Sequence, residues 1–250
     1  MVYKLFFSFL FFSLEPIALF GQHDSGGYHM DSVDIDVSDT ESLQRGAKYF
    51  VNYCLGCHSA KYIRYNSLIE DLGITEDELV DNLMFTSDSL FDTMDISMMP
   101  EDASIWFGIP PPDLSLIARS RGTEYLYNFL RSFYLDSSSI TGVNNLLLEN
   151  TSMPHVLWEL QGEQHLVSKE SVAAVYYDPS YSDFLELVRP GRLTEKEYDR
   201  TVRDLVNYLV YMGEPIKLKR TKIGVWVMFY LFIFLLIAYM LKKEYWKDIH

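Results

Sequence analysis

The chain has 250 residues, of which 48% are hydrophobic and 15% aromatic, and its formal net charge is −14. That balance excludes nucleic acid as a partner, since binding a phosphate backbone takes clustered Lys and Arg. Both cysteines lie in one short stretch, at 54 and 57, so no second pair is available to complete a structural zinc site.

The N-terminus, MVYKLFFSFLFFSLEPIALFG, has Lys4, an apolar run from Leu5 to Leu14 and small residues near Ala18 and Gly21. It reads as a secretory signal peptide over 1–21. No Ala-x-Ala site is present and Glu15-Pro16 interrupts the run, so removal of the leader stays open. Residues 22–38 are polar, Gly/Asp/His-rich and non-periodic, which suits a loose linker or a surface-hugging arm.

A helix is expected next. Ser38 with Glu41 three residues on has the form of a capping box, and Leu43, Ala47, Phe50, Val51 and Cys54 recur at helical spacing. This helix runs into Cys54-Leu55-Gly56-Cys57-His58, a C-x-x-C-H run. The pattern is that of c-type haem attachment: two thiols add to the vinyl groups and the adjacent imidazole binds iron. A thioredoxin-like pair would lie in a βαβ pattern, and none surrounds this one. The motif therefore predicts one covalently bound haem c, an oxidising compartment and electron transfer. The many aromatics suit a domain that wraps a large apolar macrocycle.

Further along, Thr75–Met84, Leu114–Arg119 and Thr123–Tyr134 look helical, Ile109-Pro110-Pro111-Pro112 must be extended, and Val172–Tyr177 is β-prone. Candidates for the second iron ligand are Met99-Pro100, Met153-Pro154 and His155; a following proline stiffens the segment that holds a weak thioether. Met99 lies 41 residues after His58 and Met153 lies 95, and spacing alone favours Met99. Thr194 caps a helix with the stripe Tyr198, Val202, Leu205, Val206, Leu209 and Val210, ended by Gly213 and Pro215.

Ile223–Leu241 is an uncharged run of 19 residues, which as a helix reaches about 29 Å, close to the thickness of a bilayer core. Aromatics stand towards its ends (Trp226, Tyr230, Tyr239, Tyr245, Trp246), as at membrane interfaces. We read a transmembrane anchor at 222–242 and a cytoplasmic tail at 243–250. Lys and Arg flank both ends, so charge does not orient the span. The signal-like start and the haem motif place the haem domain outside.

Arg45-Gly46-Ala47 with the haem motif, Pro111-Pro112-Asp113-Leu114-Ser115, Arg119-Ser120-Arg121, Met153-Pro154-His155-Val156-Leu157 and Gly213-Glu214-Pro215 before a single span together resemble cytochrome c1, in its compact bacterial form. The resemblance implies a mainly α fold: a cytochrome c-like haem domain with long insertions over 39–215, plus one C-terminal transmembrane helix. It implies Cys54 and Cys57 as covalent haem attachments, His58 and Met153 as axial iron ligands, and Arg121 paired with a haem propionate beside Tyr125. The prolines at 110–112 would wall the haem and offer carbonyls to the second nitrogen of His58. It implies a redox subunit of a cytochrome bc1 complex in the bacterial inner membrane, with cytochrome b, a Rieske iron–sulfur protein, soluble cytochrome c and the lipid bilayer as partners. The subunit itself would do no bond chemistry. A membrane-tethered monohaem carrier, or the haem subunit of a terminal oxidase, is the alternative.

Residues 65–118 hold twelve Asp or Glu and no Lys or Arg. The run is either a solvated face or a docking field for a basic electron acceptor.

Overall fold

The computed structural model describes residues 29–167 and 180–247. The signal peptide and the β-prone 172–177 lie outside them. The described chain is mainly helical, with three two-stranded antiparallel sheets at the periphery.

Helix α1 (Thr40–Tyr49) passes through a π-helical turn, Phe50–Cys54, into the C-x-x-C-H run. Its cap is not Ser38. Asp39 accepts from the Ser42 N–H, while the Ser38 hydroxyl and N–H are both taken by Asp36. An Asp at the N-cap also sits favourably at the positive end of the helix dipole. Helix α8 (Glu195–Gly213) starts with the Thr194/Glu197 capping box and crosses α1. The predicted stripe is buried except Val210, which is half-buried.

The crossing explains Gly46. A Cβ there would lie 2.1 Å from the Asp204 carbonyl oxygen and 2.7 Å from the Tyr208 Cβ. With only hydrogen at 46 the helices close up, and Phe50 meets the Tyr208 ring at 5.5 Å. Beside this contact Arg45 Nε donates to Asp204 at 2.6 Å and the Ser42 hydroxyl donates to the same carboxylate at 2.7 Å. Asp204 is 2% exposed, so its charge is retained in the core only because it is paired and hydrogen-bonded.

Around this pair stand β1 (Ala60–Arg64), α2 (Tyr65–Leu72), α3 (Glu76–Leu83), β2 (Thr93–Met94), α4 (Pro100–Phe107), α5 (Ile117–Arg121) and α6 (Thr123–Arg131). β3 (Phe133–Leu135) pairs with β4 (Val143–Asn145); α7 (Trp158–Gln161) leads to β5 (Gly162–Leu166), which pairs with β6 (Leu185–Pro190). The expected helices are present with shifted ends. α5 begins at Ile117 rather than Leu114, because residues 113–115 are bonded to the chain after His58. α6 ends at Arg131 rather than Tyr134, because Phe133–Leu135 pairs with β4.

The segment before α1 is a docked arm in its described part. Asn128 bonds both the N–H and the carbonyl of Asp31, Arg131 pairs with Asp31 at 3.0 Å, and Asn207 donates to the Asp36 carbonyl. Val33, Ile35 and Val37 pack on the core while Asp34 and Asp36 face out. This is a period-two alternation that a reading of 22–37 as non-periodic overlooks.

Helix α9 (Lys217–Tyr245) has 29 residues, and within Lys219–Tyr245 it contains an 18-residue window of mean hydropathy 2.4, none of it buried in the protein. Among the described residues it is the one helix long and apolar enough to cross a membrane. The joint below it is tied to α2: Tyr211 of α8 donates to Asp71 at 2.8 Å, and Lys219 of α9 pairs with Glu70 at 3.0 Å. Arg220 pairs with Glu214 at the joint.

Candidate functional site

The site begins in one turn of chain. The N–H groups of Cys57 and His58 both donate to the Cys54 carbonyl, at 3.0 and 2.8 Å, which gathers the two sulfurs and the imidazole within a single turn. Both cysteines are free thiols. Cys54 is buried, and burial with the neighbouring Cys57 pushes its thiol up to about 12.

The P-P-D-L-S motif is a clamp on the chain that follows His58. Leu114 N–H donates to the Ser59 carbonyl at 2.8 Å, and Lys61 N–H to Asp113 Oδ2 at 2.9 Å. Tyr62 N–H donates to the Ser115 hydroxyl at 3.1 Å. The Asp113 carboxylate also takes the Ser115 N–H at 2.8 Å, an Asx turn. Burial raises the Asp113 carboxyl, but bonds from Ser115, Lys61 and Ser59 outweigh it and hold the group below its ordinary value.

The product of the clamp is the position of Pro112. Its carbonyl lies 2.7 Å from His58 Nδ1. A carbonyl only accepts, so Nδ1 carries the proton and Nε2 is left as a lone pair. Burial lowers the His58 pKa, against the Pro112 carbonyl and Asp113. A neutral imidazole oriented through its other nitrogen is the form that binds metal. The pair of thiols and the fixed tautomer fit a haem held at this turn.

Arg121 closes α5, and Gly122, at φ +86°, turns the chain directly into α6. This brings the Arg121 guanidinium 5.6 Å from the centroid of the buried Tyr125 ring. Burial foremost holds the Tyr125 phenol above its ordinary value, opposed by Arg121, so it remains an O–H donor. From Tyr125 an aromatic ladder continues through Phe129 (5.9 Å, stacked) and Phe133 (5.2 Å, edge-on) to the imidazole of His155 (4.9 Å, 5° between planes). No sequence pattern had singled out Phe129 or Phe133.

Met153 is half-buried and packed against the core, whereas Met99, the N-cap residue of α4, is 59% exposed. The preference from spacing for Met99 thus meets a side chain turned to solvent. The chain ahead of Met153 is anchored by two buried asparagines. Asn144 accepts from Asn145 N–H and Asn150 N–H, and Asn145 bonds Ser132, Leu147 and the Phe129 carbonyl. His155 is 8% exposed, and burial lowers its pKa to about 4 against the Gln161 side chain. Its Nε2 and the Gln161 Oε1 are both buried, and each is the group the other has to bond.

The sequence model of the Cytochrome C1 family matches residues 33–249. Cytochrome c1 of Allochromatium vinosum is 46% identical over 96% of this chain and 97% of its own length. A Nitrosomonas europaea protein called ammonia monooxygenase gamma subunit is also 46% identical, over 94% of this chain and 95% of its own. Cytochrome c1 of Rhodospirillum rubrum is 27% identical over 84% and 83%. Among solved structures, a chain of a hyperthermophilic respiratory Complex III aligns with 99% of this chain and 95% of its own length, at 17% identity and a TM-score of 0.40.

Proposed function

The chain belongs to the cytochrome c1 family, and on that premise we propose that it is the membrane-tethered haem subunit of a cytochrome bc1 complex. It accepts an electron from a Rieske iron–sulfur protein and passes it to a soluble cytochrome c, beside cytochrome b in the bacterial inner membrane, with the haem domain in the periplasm. The observation that carries this reading is the His58 imidazole, held through Nδ1 by the Pro112 carbonyl beside two free thiols.

Each residue has a stated task. Cys54 and Cys57 would hold the porphyrin through thioethers, and His58 Nε2 and the Met153 sulfur would hold its iron. Arg121, with Tyr125 as a hydrogen-bond donor, would neutralise a propionate, for which a guanidinium beside an O–H is suited. The haem, when bound, supplies a one-electron couple. The protein's share would be to keep the imidazole neutral, exclude water and set the potential through the residues that hold the iron.

The acidic run supports the soluble acceptor. Eleven of its twelve carboxylates are exposed, and α4 among them displays Ile105 and Trp106 to solvent. An apolar patch rimmed by acids suits brief docking of a basic protein. Electron transfer to such an acceptor is expected to slow as salt rises, and a flat dependence refutes the docking field.

Purification from native membranes tests the whole reading. Recovery with cytochrome b and a Rieske protein is expected, with haem still attached on a denaturing gel. Recovery alone, with an oxidase core subunit, or with an ammonia-oxidising enzyme of the kind named for the Nitrosomonas europaea relative, would replace it.

A further inference from the structure

Asp113 stands where the chain after His58 meets the segment that carries Pro112. One carboxylate oxygen takes the Lys61 N–H at 2.9 Å, from the opposite segment, and the other takes the Ser115 N–H at 2.8 Å, from its own. The Ser59 hydroxyl bonds the same group. All three partners are donors. A carboxylate, which only accepts, can serve them together, whereas an amide would turn its NH2 towards one of them.

The peptide joining 112 and 113 carries the carbonyl that lies 2.7 Å from His58 Nδ1. The ring of Pro112 fixes its φ, so the tilt of that peptide plane turns on the ψ of Pro112 and the φ of Asp113. Bonds to the Asp113 side chain from both segments take up this freedom. Asp113 is itself exposed, so water screens its charge but leaves its hold on the backbone untouched.

We propose that Asp113 is a positioning residue that tunes the reduction potential of the haem: its carboxylate keeps the Pro112 carbonyl on His58 Nδ1 and so keeps the imidazole a strong donor to iron. The inference rests on the reading of Cys54–His58 as a haem turn with His58 on the iron. A hydrogen bond from Nδ1–H raises the basicity of the other ring nitrogen. The more basic ligand favours ferric iron, so the bond lowers the potential, and freeing the carbonyl raises it.

The full-length, haem-loaded protein in detergent provides the test, through Asp113→Ala, Asp113→Asn and, as a charge control, Asp95→Asn. Asp95 pairs with the Lys61 ammonium at 3.6 Å, so its neutralisation removes a nearby charge and leaves the bond from the Lys61 N–H in place. Haem staining on a denaturing gel checks loading. Redox titration then gives the midpoint potential, and nuclear magnetic resonance of the reduced protein with isotope-labelled histidine gives the solvent exchange of the His58 Nδ1–H. Both Asp113 variants should show a raised potential and faster exchange. Asp95→Asn should leave the exchange unchanged and move the potential less. The asparagine keeps the shape of the side chain and carries the measurement if the alanine variant binds no haem. A parental potential or a parental exchange rate in the Asp113 variants overturns the proposal, as does an equal rise of potential in Asp95→Asn. Loss of haem from both Asp113 variants also overturns it, since the residue would then be structural. A parent protein without haem on the gel refutes the reading of the turn itself, and the proposal falls with it.

Discussion

Replacing Gly46 by alanine tests the helix crossing on which the haem turn is built. Alanine would place its Cβ 2.1 Å from the Asp204 carbonyl oxygen, where close carbon–oxygen contacts lie at about 3.3 Å, so α1 and α8 must part by roughly 1 Å. The obstacle is backbone, and no side-chain rotation relieves it. Overpacking of this kind costs about 1–3 kcal/mol. A gap of roughly 1 Å also forfeits about a quarter to a half of each dispersion contact along the seam, where Phe50 meets Tyr208. It stretches the bonds of Arg45 and Ser42 to Asp204, now 2.6 and 2.7 Å, beyond useful length, at about 1 kcal/mol each. The sum is about 3–5 kcal/mol, or a fall of roughly 6–20 °C in Tm for a domain of this size. Helix propensity alone predicts the opposite sign, a gain of about 1 kcal/mol for Gly→Ala. Thermal unfolding of the detergent-solubilised protein, followed by circular dichroism in the haem Soret region, separates the two. The exposed Lys48→Ala on the same helix is the control and should stay within about 0.5 kcal/mol of the parent. A Gly46→Ala protein as stable as the parent would refute the crossing.

Three other outcomes are expected. Arg45→Met leaves the 2%-exposed Asp204 carboxylate without its cation and should cost about 3–5 kcal/mol, while Asp204→Ala leaves Arg45, itself one-third exposed, able to reach water and should cost less; equal costs would contradict the buried position of Asp204. At the joint with α9, Tyr211→Phe removes a buried donor to a carboxylate and should cost about 1.5–3 kcal/mol, whereas Lys219→Ala removes an exposed pair and should cost under about 1 kcal/mol; chemical denaturation ranks them, and the reverse order would be wrong for this geometry. The Glu197 carboxyl is lowered by its bonds from Thr194, so its contribution is present above the unfolded carboxylate range, about 4.3, and is lost as pH falls through the lower folded value. Glu197→Gln should therefore lessen the loss of stability on acidification; an unchanged acid limb would show the capping box to be idle.

Much of the fold was legible where the signal is local. The helix into Cys54–His58, the Thr194 cap, the Thr75 cap and the apolar tail each arise from residues within a few turns of one another, where propensity, capping and periodicity act directly. Helix ends were misjudged where a distant partner takes the backbone: α6 yields at Phe133 to β4, and α5 waits until the clamp at 113–115 is complete. The arm at 29–37 was read by its polar composition, although the Val33–Ile35–Val37 alternation was there to be counted.

From the sequence alone came the C-x-x-C-H turn, the candidate ligands and the apolar C-terminal helix, because thiol spacing, adjacency and hydropathy are properties of contiguous residues. Only the tertiary structure decided what orients them. The His58 proton is assigned by a carbonyl 54 positions away, and Asp204 is tolerated in the core through a hydroxyl 162 positions away. Met99 is exposed and Met153 half-buried, a difference that their spacing from His58 does not carry. Hydrogen bonds and burial depend on which groups share space, and chain order does not encode that until the packing around Gly46 is complete.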